Sequence, residues 1–255
     1  MLEIEHLQKT YPGSESPALA DFDLKIADGE FVSLIGPSGC GKTTALRIIA
    51  GLLEPSGGDV RFNGSSALAP SPDKAMVFQQ FNLFPWRTAM ANVAYGLEVQ
   101  GMGKKERAAV AAEYLDLVGL SDRANHYPSQ LSGGQCQRVG LARALAIQPK
   151  LMLMDEPFGA LDALTREHLQ ALLQRICAER NLTVLFVTHS IDESIFLSDR
   201  MVVMGVPGRV IEEHTVNLRR PRAEYDWRAT SEYTALRRAT WSVLRTEIEK
   251  AEAAA

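Results

Sequence analysis

An apolar run, "EFVSLIG" at residues 30–36, passes without a break into "GPSGCGKT" at 36–43, and a helical pattern follows at once. This order of short apolar strand, glycine-rich turn and helix constrains the fold more than any other feature. A strand with no polar face is buried on both sides, and such strands belong to parallel sheets with helical crossovers. The same punctuation recurs. "KAMVFQ" (74–79), "LMLMDEP" (151–157), "TVLFVTH" (183–189) and "RMVVMG" (200–205) are short apolar runs, with helices expected at 42–52, 104–118, 133–147, 165–180 and 191–198. The expected fold class is α/β with a mostly parallel sheet. Residues 1–30 differ: "MLEIEHLQKTY" and "ALADFDLKIADGE" alternate apolar with polar, which predicts an N-terminal antiparallel β subdomain. Residues 82–130 are helix-rich without a strong strand; with the helix that follows they read as a helical insertion over about 82–150. From 214 the chain turns polar and Arg-rich, then helical from about 231 to 250, so 214–255 reads as a C-terminal helical tail ending in a frayed "AEAAA".

Composition narrows the function classes. The chain has 255 residues, 46% of them hydrophobic, which is enough for one large domain or two small ones. A formal net charge of −4 offers no basic excess for a nucleic-acid backbone. Cys40, Cys136 and Cys177 have no metal-ligand spacing and form no even set, as expected of a reducing compartment. Nothing in residues 1–20 reads as a signal peptide, and no window approaches the roughly 18 apolar residues of a spanning helix. The expected location is the cytosol or the cytosolic side of a membrane.

"GPSGCGKT" matches G-x-x-x-x-G-K-[ST]. Its glycines let successive N–H groups converge into an anion nest, and the helix behind adds the positive end of its dipole. Lys42 then reaches the β- and γ-phosphates of a nucleotide, and the Thr43 hydroxyl ligates Mg²⁺. "LMLMDEP" ends a buried strand in two carboxylates, where open α/β sheets bind ligands. Asp155 is placed for the Mg²⁺ shell and Glu156 for polarising a water toward in-line attack. In "QLSGGQCQR" (130–138), Ser132, Gly133, Gly134 and Gln135 precede a helix that Pro149 stops. Two glycines at a helix start make a second backbone anion site. A chain with two such elements is best satisfied by a two-fold dimer, each copy's second element covering its partner's nucleotide.

With these motifs the chain resembles the ATPase subunits of ABC transporters. It carries, in order, the phosphate loop, Gln79 after "MVF", "LSGGQ" (131–135), the strand ending in Asp155 and Glu156, "GALD" (159–162) and His189 in "VTHS". The resemblance covers about residues 1–213, the expected ATPase domain. It implies a P-loop NTPase core that takes ATP and Mg²⁺. Gly36, Pro37, Ser38, Gly39, Cys40, Gly41, Lys42, Thr43 and Thr44 would hold phosphate, and Tyr11 would stack on adenine. Gln79 would ligate Mg²⁺ or position the water and sense the membrane partner. His189 would contact the γ-phosphate and hold the water with Glu156. Ser132, Gly133, Gly134, Gln135 and Asp162 would act across the dimer.

Two positions depart from the family pattern: Cys136 after "LSGGQ", and Ser190 where Asp is common. Cys40 is read either as a small filler or as a thiol whose pKa Lys42 and the helix N-terminus lower. The resemblance also implies partners: an integral membrane permease, a second ATPase subunit, an extracytoplasmic solute-binding protein reached through the permease, and no nucleic acid. Phe84, Pro85 and Trp86 either make an exposed docking patch or pack the insertion's own core. A standalone chain without a long regulatory domain favours an importer, and "FNLFPWRTAMANVAYGLEVQGM" with "VNLRRPRAEYDW" resembles the nitrate, sulfonate and taurine importer ATPases. Arg219, Arg220 and Arg222 are otherwise an ordinary solvated face. The alternatives are an exporter ATPase, a soluble non-transport ABC ATPase, a P-loop kinase or GTPase, which lacks "LSGGQ", and a regulatory subunit that does not hydrolyse.

Overall fold

The computed structural model describes residues 1–159 and 161–253, and the chain divides into two compact units, residues 1–71 with 173–253 and residues 72–172. The "GALD" expectation includes Ala160 and the frayed-end expectation includes Ala254 and Ala255, which lie outside the described residues.

In the first unit, β1 (Leu2–Lys9) and β2 (Leu19–Ile26) pair antiparallel, and β4 (Gly57–Phe62) and β5 (Ser65–Ser66) extend the sheet in the order β2-β1-β4-β5. Alternation puts Phe22, Leu24 and Ile26 inside. On β1 the phase slips: Leu2 and Ile4 are buried, and so is Leu7. His6, with φ 51°, falls in the register shift between Ile4 and Leu7. One inserted residue returns the next apolar side chain to the core face.

The second sheet of this unit holds β3 (Phe31–Ile35), β8 (Thr183–Val187) and β9 (Arg200–Gly205), with β10 (Arg209–Thr215) antiparallel on β9. Every residue of β3 and β8 is buried, as expected of strands covered on both faces. The parallel register pairs Leu34 with Val187 and also with Val202. Helices α1 (Lys42–Ile49), α7 (Ile191–Leu197) and α8 (Ser231–Ala253) complete the unit.

In the second unit, β6 (Lys74–Val77) and β7 (Leu151–Asp155) pair in parallel, Val77 against Met154. Between them lie α2 (Ala89–Val93), α3 (Tyr95–Val99), α4 (Lys104–Leu117) and α5 (Gly133–Ala146). α6 (Ala163–Arg180) follows β7, its residues 163–172 in this unit and 173–180 in the first. Asn92 is fully buried and fixes the loop before α2: its Oδ1 accepts from Phe84 N–H (2.8 Å), and its Nδ2 donates to Phe84, Arg87 and Thr88 carbonyls. The aromatic stretch therefore divides. Phe84 packs on Tyr95 at 4.6 Å between centroids, while Trp86 is 71% exposed.

The solvated-face reading holds for Arg219, which is exposed, and fails for half-buried Arg220 and buried Arg222. Arg222 is 1% exposed, and Arg220 bonds Asp199 at 2.8 Å. Trp227 is buried against Phe196 (5.4 Å) and Tyr233 (5.0 Å), so Arg222 and Trp227 anchor an otherwise largely exposed segment to the first unit. No helix among the described residues is long and apolar enough to cross a membrane. All three cysteines are buried. Cys40 fills space behind the glycine loop, and burial pushes its thiol up despite Lys42, which overturns the reactive reading. Burial pushes Cys177 from near 9 up to about 12.

Three outcomes follow from this packing. Trp227→Ala is expected to cost about 3–5 kcal/mol in urea denaturation. Maleimide should label no thiol of the folded chain near neutral pH and all three cysteines after unfolding. Above pH 9 the unfolded chain releases the Cys177 proton that the folded chain keeps, so stability should fall as pH rises from about 9 toward 12.

Candidate nucleotide-binding site

In the first unit the chain leaves β3 at Ile35 and turns at once. A Cβ at Gly36 would stand 2.6 Å from the Met204 carbonyl oxygen, so nothing larger fits. Gly41 has φ 91°, and a Cβ there would stand 2.4 Å from the Ala18 carbonyl oxygen, which makes the left-handed turn into α1 a glycine position. α1 then begins with no side-chain cap and no acidic residue in its first turn. Its first N–H groups need an acceptor, and the dipole favours an anion.

Lys42 is buried at 8% exposure, and its Nζ donates to the Gly36 and Pro37 carbonyls (both 2.8 Å) and to Cys40 Sγ (3.5 Å). All three acceptors are uncharged, since Cys40 stays a thiol. A buried ammonium met only by neutral groups is suited to a bound anion. These features fit a polyphosphate: an uncapped helix start, a glycine-lined approach and a cation.

Two further residues join this loop. Tyr11 is 39% exposed, and its hydroxyl lies 3.2 Å from Thr44 Oγ1. Continuing the parallel register from Leu34 and Val187 brings Gly36 level with His189, so the histidine leaves the same sheet end as the loop. Ser190, the departure from the family pattern, accepts from Glu193 N–H at 3.3 Å and caps α7.

In the second unit the register gives a parallel result. Val77 pairs with Met154, so Gln79 emerges level with Glu156, and Gln79 Nε2 donates to Glu156 Oε2 at 3.3 Å. Glu156 holds φ 44°, a left-handed conformation uncommon for a long side chain and typical of functional sites. Asp155 closes β7 at 6% exposure. Asp155 and the Thr43 hydroxyl of the first unit are hard oxygen donors of the kind Mg²⁺ selects.

The signature segment lies in the same unit. Ser132 Oγ accepts from Gln135 N–H (3.3 Å), and Gln135 Oε1 accepts from Ser132 N–H (2.9 Å). This capping box explains the serine and the glutamine together; the S-x-x-Q spacing was its signal. Gly133 stays exposed at the helix start, and a Cβ at Gly134 would stand 3.3 Å from Leu161 Cδ2. The tips of α5 and α6 thus meet. Asp162 caps α6, accepting from Thr165 N–H at 3.0 Å, and that bond holds its carboxyl below the usual range. Cys136 is buried, with Sγ 3.6 Å from the Pro128 carbonyl oxygen.

The ABC transporter family model matches residues 19–159. From Synechococcus elongatus, a bicarbonate transport ATP-binding protein is 46% identical over 92% of this chain and 36% of its own length, and a nitrate import ATP-binding protein is 44% identical over 92% and 37%. The taurine import ATP-binding protein of Yersinia pestis is 44% identical over 88% of each chain. Among solved structures, a dimeric ATP-binding cassette in a post-hydrolysis state with ADP and Pi superposes at TM-score 0.79, with 38% identity over 86% of this chain and all of that one. The α/β fold with its antiparallel subdomain is that of the ATP-binding cassettes: the chain belongs to the ABC transporter family and is an ATP-hydrolysing cassette.

Proposed function

We propose that the chain is the ATPase subunit of an importer for a small solute bearing an oxyanion group, such as nitrate, a sulfonate, taurine or bicarbonate. Support for the solute class comes from the names of the relatives, whose cargoes share that chemistry. We assign residues 1–213 to the ATPase domain, with a helical insertion over about 82–150 and a tail over 214–255. The partners are an integral membrane permease, a second ATPase subunit and, through the permease, an extracytoplasmic solute-binding protein. The working location is the cytoplasmic face of the membrane, as a peripheral subunit. Exposed Trp86, beside the Gln79 segment, is the side chain assigned to the permease contact.

The observation that carries the catalytic reading is the register that sets Gln79 level with Glu156. Glu156 takes a proton from the attacking water, and Gln79 and His189 orient that water. Lys42 and the N–H groups of the loop 36–44, Pro37 excepted, neutralise charge on the transferred phosphoryl group. Thr43, Asp155 and Gln79 would hold Mg²⁺, which supplies further charge neutralisation on the phosphate oxygens. Tyr11 stacks on the adenine. Ser132, Gly133, Gly134, Gln135 and Asp162 serve the nucleotide of the second subunit.

Glu156→Gln tests both the base and the pairing. ATP turnover should fall at least about 100-fold, the scale of a lost general base. The inactive variant with MgATP should sediment as a dimer. Undiminished turnover excludes Glu156 as base, and a strictly monomeric variant excludes the shared nucleotide.

A further inference from the structure

Arg222 is a buried cation that the assigned catalytic roles leave unused. Its surroundings lie in the first unit, at the far end of the helix that follows His189. α7 has seven residues, too few to be stable alone in water. Its last carbonyls have no partner further along the helix. The tail supplies them. Arg222 Nη1 donates to Ile195 O (2.9 Å), Phe196 O (3.0 Å) and Ser198 O (2.8 Å). Nη2 of the same guanidinium donates to Val216 O (3.3 Å) and Leu218 O (3.4 Å). Arg220 Nη2 donates to Leu197 O at 2.7 Å. Two cations at a helix C-terminus also complement its dipole.

The other end of α7 is gripped as well. Asp192, in the first turn, accepts from Tyr233 Oη (2.9 Å) and Arg237 Nε (3.2 Å), both on α8. The helix therefore has little freedom to shift, and His189 stands one residue before its Ser190 cap.

We propose that Arg222 is a positioning residue for ATP hydrolysis: by closing the C-terminal end of α7 it fixes the helix that aims His189. The proposal rests on reading His189 as a contact to the γ-phosphate. Arg222 touches no reacting atom; its action runs through α7.

Arg222→Lys in the full chain keeps the charge and gives up the planar fork that reaches carbonyls on both sides. Expected are a roughly tenfold fall in kcat, a displaced His189 ring resonance by NMR, and an ATP dissociation constant within about twofold of the parent, because the phosphate loop is untouched. An unchanged kcat overturns the proposal. So does a fall in kcat matched by an equal loss of ATP affinity with the His189 resonance unmoved, which marks a purely structural arginine. If the lysine variant does not fold, Arg237→Gln loosens the opposite end of α7 from the surface: kcat should again fall and the His189 resonance shift, with the ATP dissociation constant again within about twofold of the parent. His189→Ala, measured alongside, separates the two readings. Full turnover in that variant removes the role of His189, and the proposal with it. An inactive His189→Ala beside a fully active Arg222→Lys defeats the proposal alone.

Discussion

The Lys42 ammonium sits out of water against two peptide carbonyls and a neutral thiol. A buried cation in such company is only partly compensated, and a protein can avoid that cost by carrying an apolar side chain instead. The surrounding backbone is arranged around the charge. Gly36 lets the loop pass under the Met204 carbonyl, Gly41 turns left-handed against Ala18, and α1 starts without a cap. Each feature alone is a local defect; together they are a place for a polyphosphate. The strands serve the same end. Parallel pairing delivers chemistry at one end of each pair, which is why His189 comes level with the loop in one unit and Gln79 with Glu156 in the other.

Much of this was legible because burial on both faces leaves a clean trace. The runs at 30–36, 74–79, 151–157, 183–189 and 200–205 became β3, β6, β7, β8 and β9, each trimmed at its C-terminal end where the loop takes over, except β9. The helices begin and end close to their expected bounds; Ser132 and Ser190 cap α5 and α7, and Pro149 follows the end of α5. What escaped had weak or conflicting local signals. β4 opens on two glycines, and β10 is the polar "RVIEEHT", so neither carries a strand pattern. The slip in β1 at His6 is a backbone event that alternation cannot reveal. α2 and α3 are five residues each, below the length at which periodicity speaks.

The tail illustrates a deeper limit. A run of arginines in a polar segment reads as solvated, because burial of a guanidinium depends on acceptors far away in sequence. Here the acceptors are the end of α7, about 25 residues upstream, and no local pattern marks them. Ser190 shows the same point in small. It departs from the family pattern, yet it caps α7 as an aspartate could. The capping box of Ser132 and Gln135 likewise gives the signature serine and glutamine a structural duty beside any contact to nucleotide.

A paired measurement on Lys42→Met tests the central idea most directly: calorimetric titration with ATP, and thermal unfolding without it. If the lysine is kept for an anion and not for the fold, the methionine variant should unfold at the same temperature or higher. Its ATP affinity should fall about tenfold or more, the scale of a lost charge-assisted hydrogen bond. A variant that melts earlier yet binds ATP as tightly as the parent would contradict the account.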